Sequence, residues 1–308
     1  MQTTIGLTAH DLVRRRNFLT ATDVPKIVGS SPYGNAYDVF LEKTQPMDPV
    51  KASAAMTFGT RMEPIILEYT QEWLQEFYKN PELRITKRDC RKTHANQIMS
   101  CTLDARVIGM PEAIEAKTHA TVHSHVNLEE WGKEELTDTI PQVYLDQVLA
   151  QMACVPELQR IWVVMWAGRS LPVVYCAERH NHLPRIAFIE TACCDFWDQH
   201  ILTGIPPASL PPSMDTIRRV NAPINVEQVI TLDDLTVLRA KRLSTAINLL
   251  KKRKEDMDAG IRARMIGASQ AITPGGHKVR LNTYNRKGYA VEGGPVTRMD
   301  VSLAPISR

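Results

Sequence analysis

The segment Ala113-Ile114-Glu115-Ala116-Lys117, read with Asp104 upstream of it, constrains this chain more than any other. On a strand, Glu115 and Lys117 lie two positions apart and project from the same face. The residues between the acids, Arg106-Val107-Ile108-Gly109-Met110, read as a strand and a turn. If the two segments pair as a hairpin, Asp104 stands opposite Glu115. Two acids and a lysine then converge at one sheet edge, where they can hold a divalent metal beside an activated water.

The flanking sequence alternates between helix and strand. Thr20-Ala21-Thr22-Asp23 starts a helix that runs into Val24 and stops at Gly29. Residues 54–78 form an amphipathic helix with Met62, Ile65, Ile66, Tyr69 and Trp73 on one side. Strands are predicted over 83–88, 97–103, 105–108 and 113–118, and a helix over 141–155 with Pro141 suited to its first turn. Residues 160–167 and 171–177 predict a hairpin through Gly168-Arg169-Ser170, and residues 184–202 a closing helix. The pattern predicts a mixed α/β domain, a small central sheet flanked by helices.

The remainder reads differently. Pro206-Pro207, Pro211-Pro212 and Pro223 mark a boundary, so the expected organisation is a body over 1–212, a linker over 213–230 and an extension over 231–308. Thr231-Leu232-Asp233-Asp234 caps a long helix that continues through Leu235, Leu238, Ala246, Leu250, Met257 and Ile261 to Gly267. Residues 278–284 and 288–291, separated by Asn285-Arg286-Lys287, predict a basic hairpin.

Charge follows the same division. Residues 213–308 carry a net charge of +8 and residues 1–212 a net charge of −5, within an overall +3. A basic extension on an acidic body points to contact with a polyanion. No apolar run approaches the ~20 residues of a membrane-spanning helix. The start, Met1-Gln2-Thr3-Thr4-Ile5-Gly6, lacks the features of a secretory signal, so a cytoplasmic protein with no membrane partner is expected. The six cysteines form no CxxC pair, which argues against zinc and iron–sulfur sites.

Further polar residues sit at telling places. Gly59-Thr60-Arg61-Met62-Glu63 puts a carboxylate in an otherwise apolar helix. Gln147 and Gln151 lie one helical turn apart, and Arg14-Arg15-Arg16 precede the Thr20–Asp23 helix start. In this order the residues resemble the λ-exonuclease or YqaJ-like viral recombinase nucleases of the PD-(D/E)xK superfamily. That family has an arginine before a T-A-S-[DE] helix start, then G-x-x-x-E, an acid about ten residues before E-x-K, and a glutamine helix. Two departures are visible: Leu103 and Ala105 flank Asp104 where the family commonly has proline and glycine, and Thr22 stands where it has serine.

The resemblance implies a PD-(D/E)xK restriction-endonuclease-like core with a C-terminal long helix and small β-hairpin. It implies Mg²⁺, with Mn²⁺ as the alternative, ligated by Glu63, Asp104, Glu115 and the Ala116 carbonyl, since hard oxygen donors suit such ions. Lys117 would orient or deprotonate water with support from Gln147, and Arg15 or Arg16, Thr22 and Thr102 would hold a 5′-phosphate. The implied activity is 5′-to-3′ digestion of double-stranded DNA, leaving 3′ single strands for recombination by annealing. The implied partners are duplex DNA ends, a phage single-strand annealing protein and further copies of the chain in a trimeric ring. The alternatives are another nuclease of the superfamily, structure-specific or single-strand-directed, and a non-catalytic DNA-binding recombination scaffold. His119, His123 and His125 read as an exposed loop, Trp162 and Trp166 as core, and Tyr284 and Tyr289 as packing against the long helix.

Overall fold

The computed structural model describes residues 15–119, 128–168, 171–208, 210–223 and 229–281. The chain divides into two compact units, Met1–Pro223 and Ile224–Arg308.

The first unit begins with strand β1 (Leu19–Thr20), the short helix α1 (Val24–Ile27), α2 (Ala36–Thr44) and the long α3 (Ala54–Phe77). Gly29, at φ 83°, turns the chain out of α1 as expected. Asn35 and Asp38 form a reciprocal capping box that starts α2, and the Ser53 hydroxyl accepts from Met56 N–H at the start of α3. Next come β2 (Ile85–Thr86), β3 (Arg91–Thr93), β4 (Met99–Thr102), β5 (Ala105–Val107) and β6 (Glu112–Thr118). Helix α4 (Gln142–Cys154), β7 (Arg160–Trp166), β8 (Val173–Glu178), α5 (Leu183–Phe196) with a π-helical turn after it, and α6 (Met214–Arg219) complete the unit.

The main sheet has the strand order β2-β5-β6-β7-β8. All its pairings are antiparallel except β6 with β7, in which Glu115 lies beside Val163. A smaller sheet has the order β1-β4-β3. Only Leu103 and Asp104 separate β4 from β5, so the chain passes from one sheet to the other at that corner.

Side-chain alternation assigns the two faces of the main sheet. Ala113, Ile161 and Val163 join a core that includes Val148, Leu149 and Met152 of α4 and Ile189 of α5. Ile114, Trp162 and Val164 join a second core under Ile66, Leu67 and Leu74 of α3. Because it is covered on both faces, β7 reads as a nearly continuous apolar run, whereas β6 carries Glu115 and Lys117 on the α4 side.

The segment expected as a linker is structured at its start. Ser213 N–H donates to Asp38 Oδ1 at 2.7 Å, and the Arg219 guanidinium pairs with Glu42 at 3.0 Å, which ties α6 to α2. Proline-rich spacing hid this helix, because α6 is six residues long and gets its stability from those contacts.

The second unit contains α7 (Asp234–Arg264), capped by Asp233, and a hairpin of β9 (Gln270–Ile272) with β10 (Lys278–Arg280). The basic strand expected from residue 278 thus pairs upstream, across Pro274-Gly275-Gly276, with Lys278 beside Ile272. Its expected second arm, with Tyr284 and Tyr289, lies outside the described residues. Among the described residues no helix is long and apolar enough to cross a membrane.

Candidate active site

The β5–β6 hairpin has the register anticipated from spacing: Ala105 pairs with Ile114 and Arg106 with Ala113. Continuing that register sets Asp104 against Glu115. The Asp104 carboxylate accepts a hydrogen bond from Ala116 N–H at 2.8 Å. Lys117 Nζ donates to Glu115 Oε1 at 2.6 Å, as side chains two apart on one strand face can.

Helix α4 completes this cluster from above the sheet. Gln147 Nε2 donates to Glu115 Oε1 at 2.6 Å, and Gln151 Nε2 donates to Glu115 Oε2 at 2.7 Å. Gln147 Oε1 in turn accepts from Lys117 Nζ at 3.0 Å. The lysine ammonium also lies 5.0 Å from the centre of the Tyr144 ring, a cation–π contact. Glu115 is 4% exposed, so its charge is stabilised almost wholly by these donors.

Asp104 is less well served. Burial comes first, then the neighbouring Glu115 charge, in pushing its carboxyl well above the usual carboxylate range; Lys117 and the Ala116 N–H offset this only in part. A divalent cation between the two carboxylates would replace their repulsion with attraction. In kind, the donor set therefore fits a hard ion such as Mg²⁺ or Mn²⁺.

Glu63 belongs to α3 and its carboxylate pairs with Lys87 Nζ at 2.6 Å, yet its charge also reaches Asp104 and adds to the upward push on that carboxyl. Among the described residues, no group of three His, Cys, Asp or Glu side chains is assembled in a way that could hold a metal ion.

Beside the acids lies a cavity of about 210 Å³ lined by Arg15, Thr20, Thr22, Thr102, Gln147 and Gln151, among others. Arg15 donates to Thr22 Oγ1 at 2.8 Å and more weakly to Thr20 Oγ1 at 3.4 Å. Arg16 is exposed and does not line the cavity, and Arg14 lies outside the described residues. Asp23 braces this wall: its Oδ2 accepts from Thr20 N–H, Thr20 Oγ1 and Lys43 Nζ, at 2.8, 2.8 and 2.7 Å. Lys43 also donates to the Arg15 carbonyl at 2.8 Å. Next to this wall lies β4, whose Ser100 pairs with Thr20 and shares a strand face with Thr102.

Among the cavity residues that the sequence alone left unassigned are Gln151 and Arg91. Gln151 was visible as a turn-mate of Gln147 but not as a second donor to Glu115; its Oε1 is buried with no partner among the described residues. Arg91 stands opposite Thr102 in the β3–β4 pairing and enters the cavity by that register, which no local pattern encodes. Of the histidines, His119 is 9% exposed rather than part of an open loop, and its N–H donates to the Trp166 carbonyl. His123 and His125 lie outside the described residues. Trp162 is core, and Trp166 stacks with Phe58 at the edge of the second core. All six cysteines are free thiols, five of them buried.

An acid just before β5 and an acid-x-lysine on the adjacent β6, in a mixed sheet with helices on both faces, form the arrangement that the PD-(D/E)xK resemblance leads one to expect. Residues 12–157 match the model of the YqaJ-like viral recombinase domain, a stretch just short of half of the chain. A crystal structure of LHK-Exo in complex with dAMP is similar at 21% identity and a TM-score of 0.46, over 62% of this chain and 92% of that one. An alkaline exonuclease (LHK-Exo) from Laribacter hongkongensis gives 20% and 0.45 over the same shares. The crystal structure of SSO0001 gives 13% and 0.32, over 67% of this chain and 99% of that one. No curated protein matches the chain significantly.

Proposed function

We propose that this protein is a Mg²⁺-dependent exonuclease that digests one strand of double-stranded DNA from its 5′ end. The product would be a 3′ single strand for recombination by annealing. One observation carries the reading: the Asp104–Glu115–Lys117 cluster opens beside a cavity whose walls supply Arg15, Thr22 and Thr102. Two carboxylates and an ammonium suit phosphodiester hydrolysis, and an arginine among hydroxyls suits a terminal phosphate.

In this reading Asp104, Glu115 and the Ala116 carbonyl hold the ion, with Glu63 joining once it leaves Lys87. The ion would supply Lewis acidity at the scissile phosphate and a water of lowered pKa. The Lys117 ammonium would orient that water by hydrogen bonding, and Gln147 holds Lys117 and Glu115 in register. Arg15, Thr22 and Thr102 grip the 5′-phosphate and so set the distance from the end to the scissile bond. A trimeric ring around the duplex and a single-strand annealing protein as partner belong to the same reading. So does action in the cytoplasm of a bacterial host.

The test is digestion of linear duplexes bearing 5′-phosphate or 5′-hydroxyl ends, alongside closed circular and single-stranded DNA, with and without Mg²⁺. Degradation of the phosphorylated linear duplex, faster than the hydroxyl form and abolished by chelation, is expected. Closed circles cut as fast as linear DNA would overturn the exonuclease reading.

A further inference from the structure

The segment from Arg84 to Lys92 carries Arg84, Lys87, Arg88, Arg91 and Lys92 against a single acid, Asp89. We propose that this arm is a second nucleic-acid contact, which grips phosphodiesters next to the end-group held in the cavity. The proposal rests on the DNA-end reading above and adds a binding surface to it.

Solvation alone accounts for many exposed cations, but three features set this arm apart. The first is its attachment. Leu103 N–H, immediately before Asp104, donates to the Cys90 carbonyl at 2.9 Å. Thr86 pairs with Arg106, two residues after Asp104, and Arg91 pairs with Thr102. The arm therefore borders the acid on one side and the cavity on the other.

The second is its bend. Asp89 sits at φ 55°, a left-handed conformation that is uncommon outside glycine and that Asp tolerates better than most residues. Arg88 N–H donates to Thr86 Oγ1 at 3.1 Å just before it. The turn separates Arg91, which lines the cavity, from Arg88, which is exposed.

The third is how the charges are paired. Asp89 takes Lys92 and Arg106 as partners, and Lys87 is bound to Glu63. The Arg88 side chain has no partner among the described residues. Arg84 donates to the carbonyls of Pro81 and Leu83 at 2.7 and 2.8 Å, which fixes its guanidinium while half of its side chain stays open to solvent. Two guanidiniums thus stand on the arm that borders the cavity: Arg84, fixed and 3.7 Å from the exposed Glu82, opposite Ile108, and the unpaired Arg88, nearer Asp104. Neither has a buried carboxylate to neutralise it. Cations placed this way bind phosphates by releasing condensed counterions.

The experiment measures binding of a fluorescent 5′-phosphorylated duplex by the full chain carrying Lys117→Ala, which prevents digestion, across a salt series. Adding Arg84→Gln and Arg88→Gln is expected to weaken binding and flatten the slope of log affinity against log salt by about 2, roughly 0.9 per lost phosphate contact. Arg84→Lys with Arg88→Lys should keep the slope, and unchanged circular dichroism and melting would rule out misfolding. Equal affinity and slope in the Gln variant and its parent would overturn the arm while leaving the DNA-end reading standing. A parent that binds no duplex would overturn both.

Discussion

Glu115 accepts from Lys117, Gln147 and Gln151 at once. The three do separate work. Lys117 is the only one of them with a proton to exchange, so Lys117→Ala is expected to lower turnover by about 10²–10⁴-fold with duplex binding largely kept. Asp104→Ala should do the same, and unchanged turnover in both would remove the assigned site. Gln151 acts through Glu115 instead. Gln151→Leu should raise the Mg²⁺ concentration needed for half-maximal activity by about 10–100-fold, as loss of a ligand's supporting hydrogen bond typically does. Isothermal titration of Mg²⁺ into the protein without DNA reads that effect apart from catalysis. Asp23 behaves as a foundation. Burial alone would raise its carboxyl, but Lys43, Arg15 and Lys26 outweigh this and hold it far below the usual carboxylate range. A depressed folded-state pKa contributes stability that is fully present above the unfolded value of 3.8 and is lost as pH falls below it. Asp23→Asn should therefore be destabilised at pH 7, by about 3–5 kcal/mol if Lys43 is left buried and unpaired. Its urea midpoint should converge on that of the parent as pH drops below about 4.

Helix α4 must be held firmly if two of its glutamines are to position a buried acid, and its C-terminal end shows how. Arg179 donates to the carbonyls of Leu158 and Val155 at 2.6 and 3.0 Å, and to that of Met152. These bonds satisfy acceptors at the helix end and set a positive charge against the helix dipole. Arg185 grips the fully buried Asp146 with two hydrogen bonds from α5. Arg179→Ala should cost about 1.5–3 kcal/mol in chemical unfolding, the range for hydrogen bonds to a charged group. Elements with their own strong period were legible before the fold was seen. Residues 54–78 read as a helix because of their apolar spacing, and the observed helix is Ala54–Phe77. Period two likewise put Glu115 and Lys117 on one face, and a 3.6-residue turn aligned Gln147 with Gln151. The two-residue strand β1, helix α2 and strand β3 were not legible, because elements so short carry too few positions to show a period. For the same reason the ion pair of Glu63 with Lys87 and the entry of Arg91 into the cavity escaped notice. The first joins segments brought together by packing of α3 on the sheet, the second by strand pairing.

Over the whole molecule, charge and chemistry are divided between the units. Every described residue assigned to the cluster and cavity lies in the unit that ends at Pro223, while the basic excess belongs to the residues after 212. Helix α7 buries none of its residues along 31 positions and carries Lys251-Lys252-Arg253-Lys254, so it adds little hydrophobic stability and much positive potential. Positive potential at a distance from the reacting bond acts on encounter and residence, not on the barrier to hydrolysis. A chain ending at Pro223 should therefore melt close to the full-length protein, since the two cores of the first unit remain whole. On short duplexes at saturating concentration and low salt, its single-turnover cleavage rate should stay within a few-fold of full length. Its duplex affinity should fall, with a shallower salt dependence, because fewer phosphates are neutralised. On long duplexes each encounter should remove fewer nucleotides, read as a shorter run length in a single-binding assay. A truncated chain that kept its run length and salt slope would place the whole DNA grip in the first unit, on Arg15 and the arm around Arg88. A truncated chain that bound normally but no longer cut would instead mean that the second unit completes the reacting site.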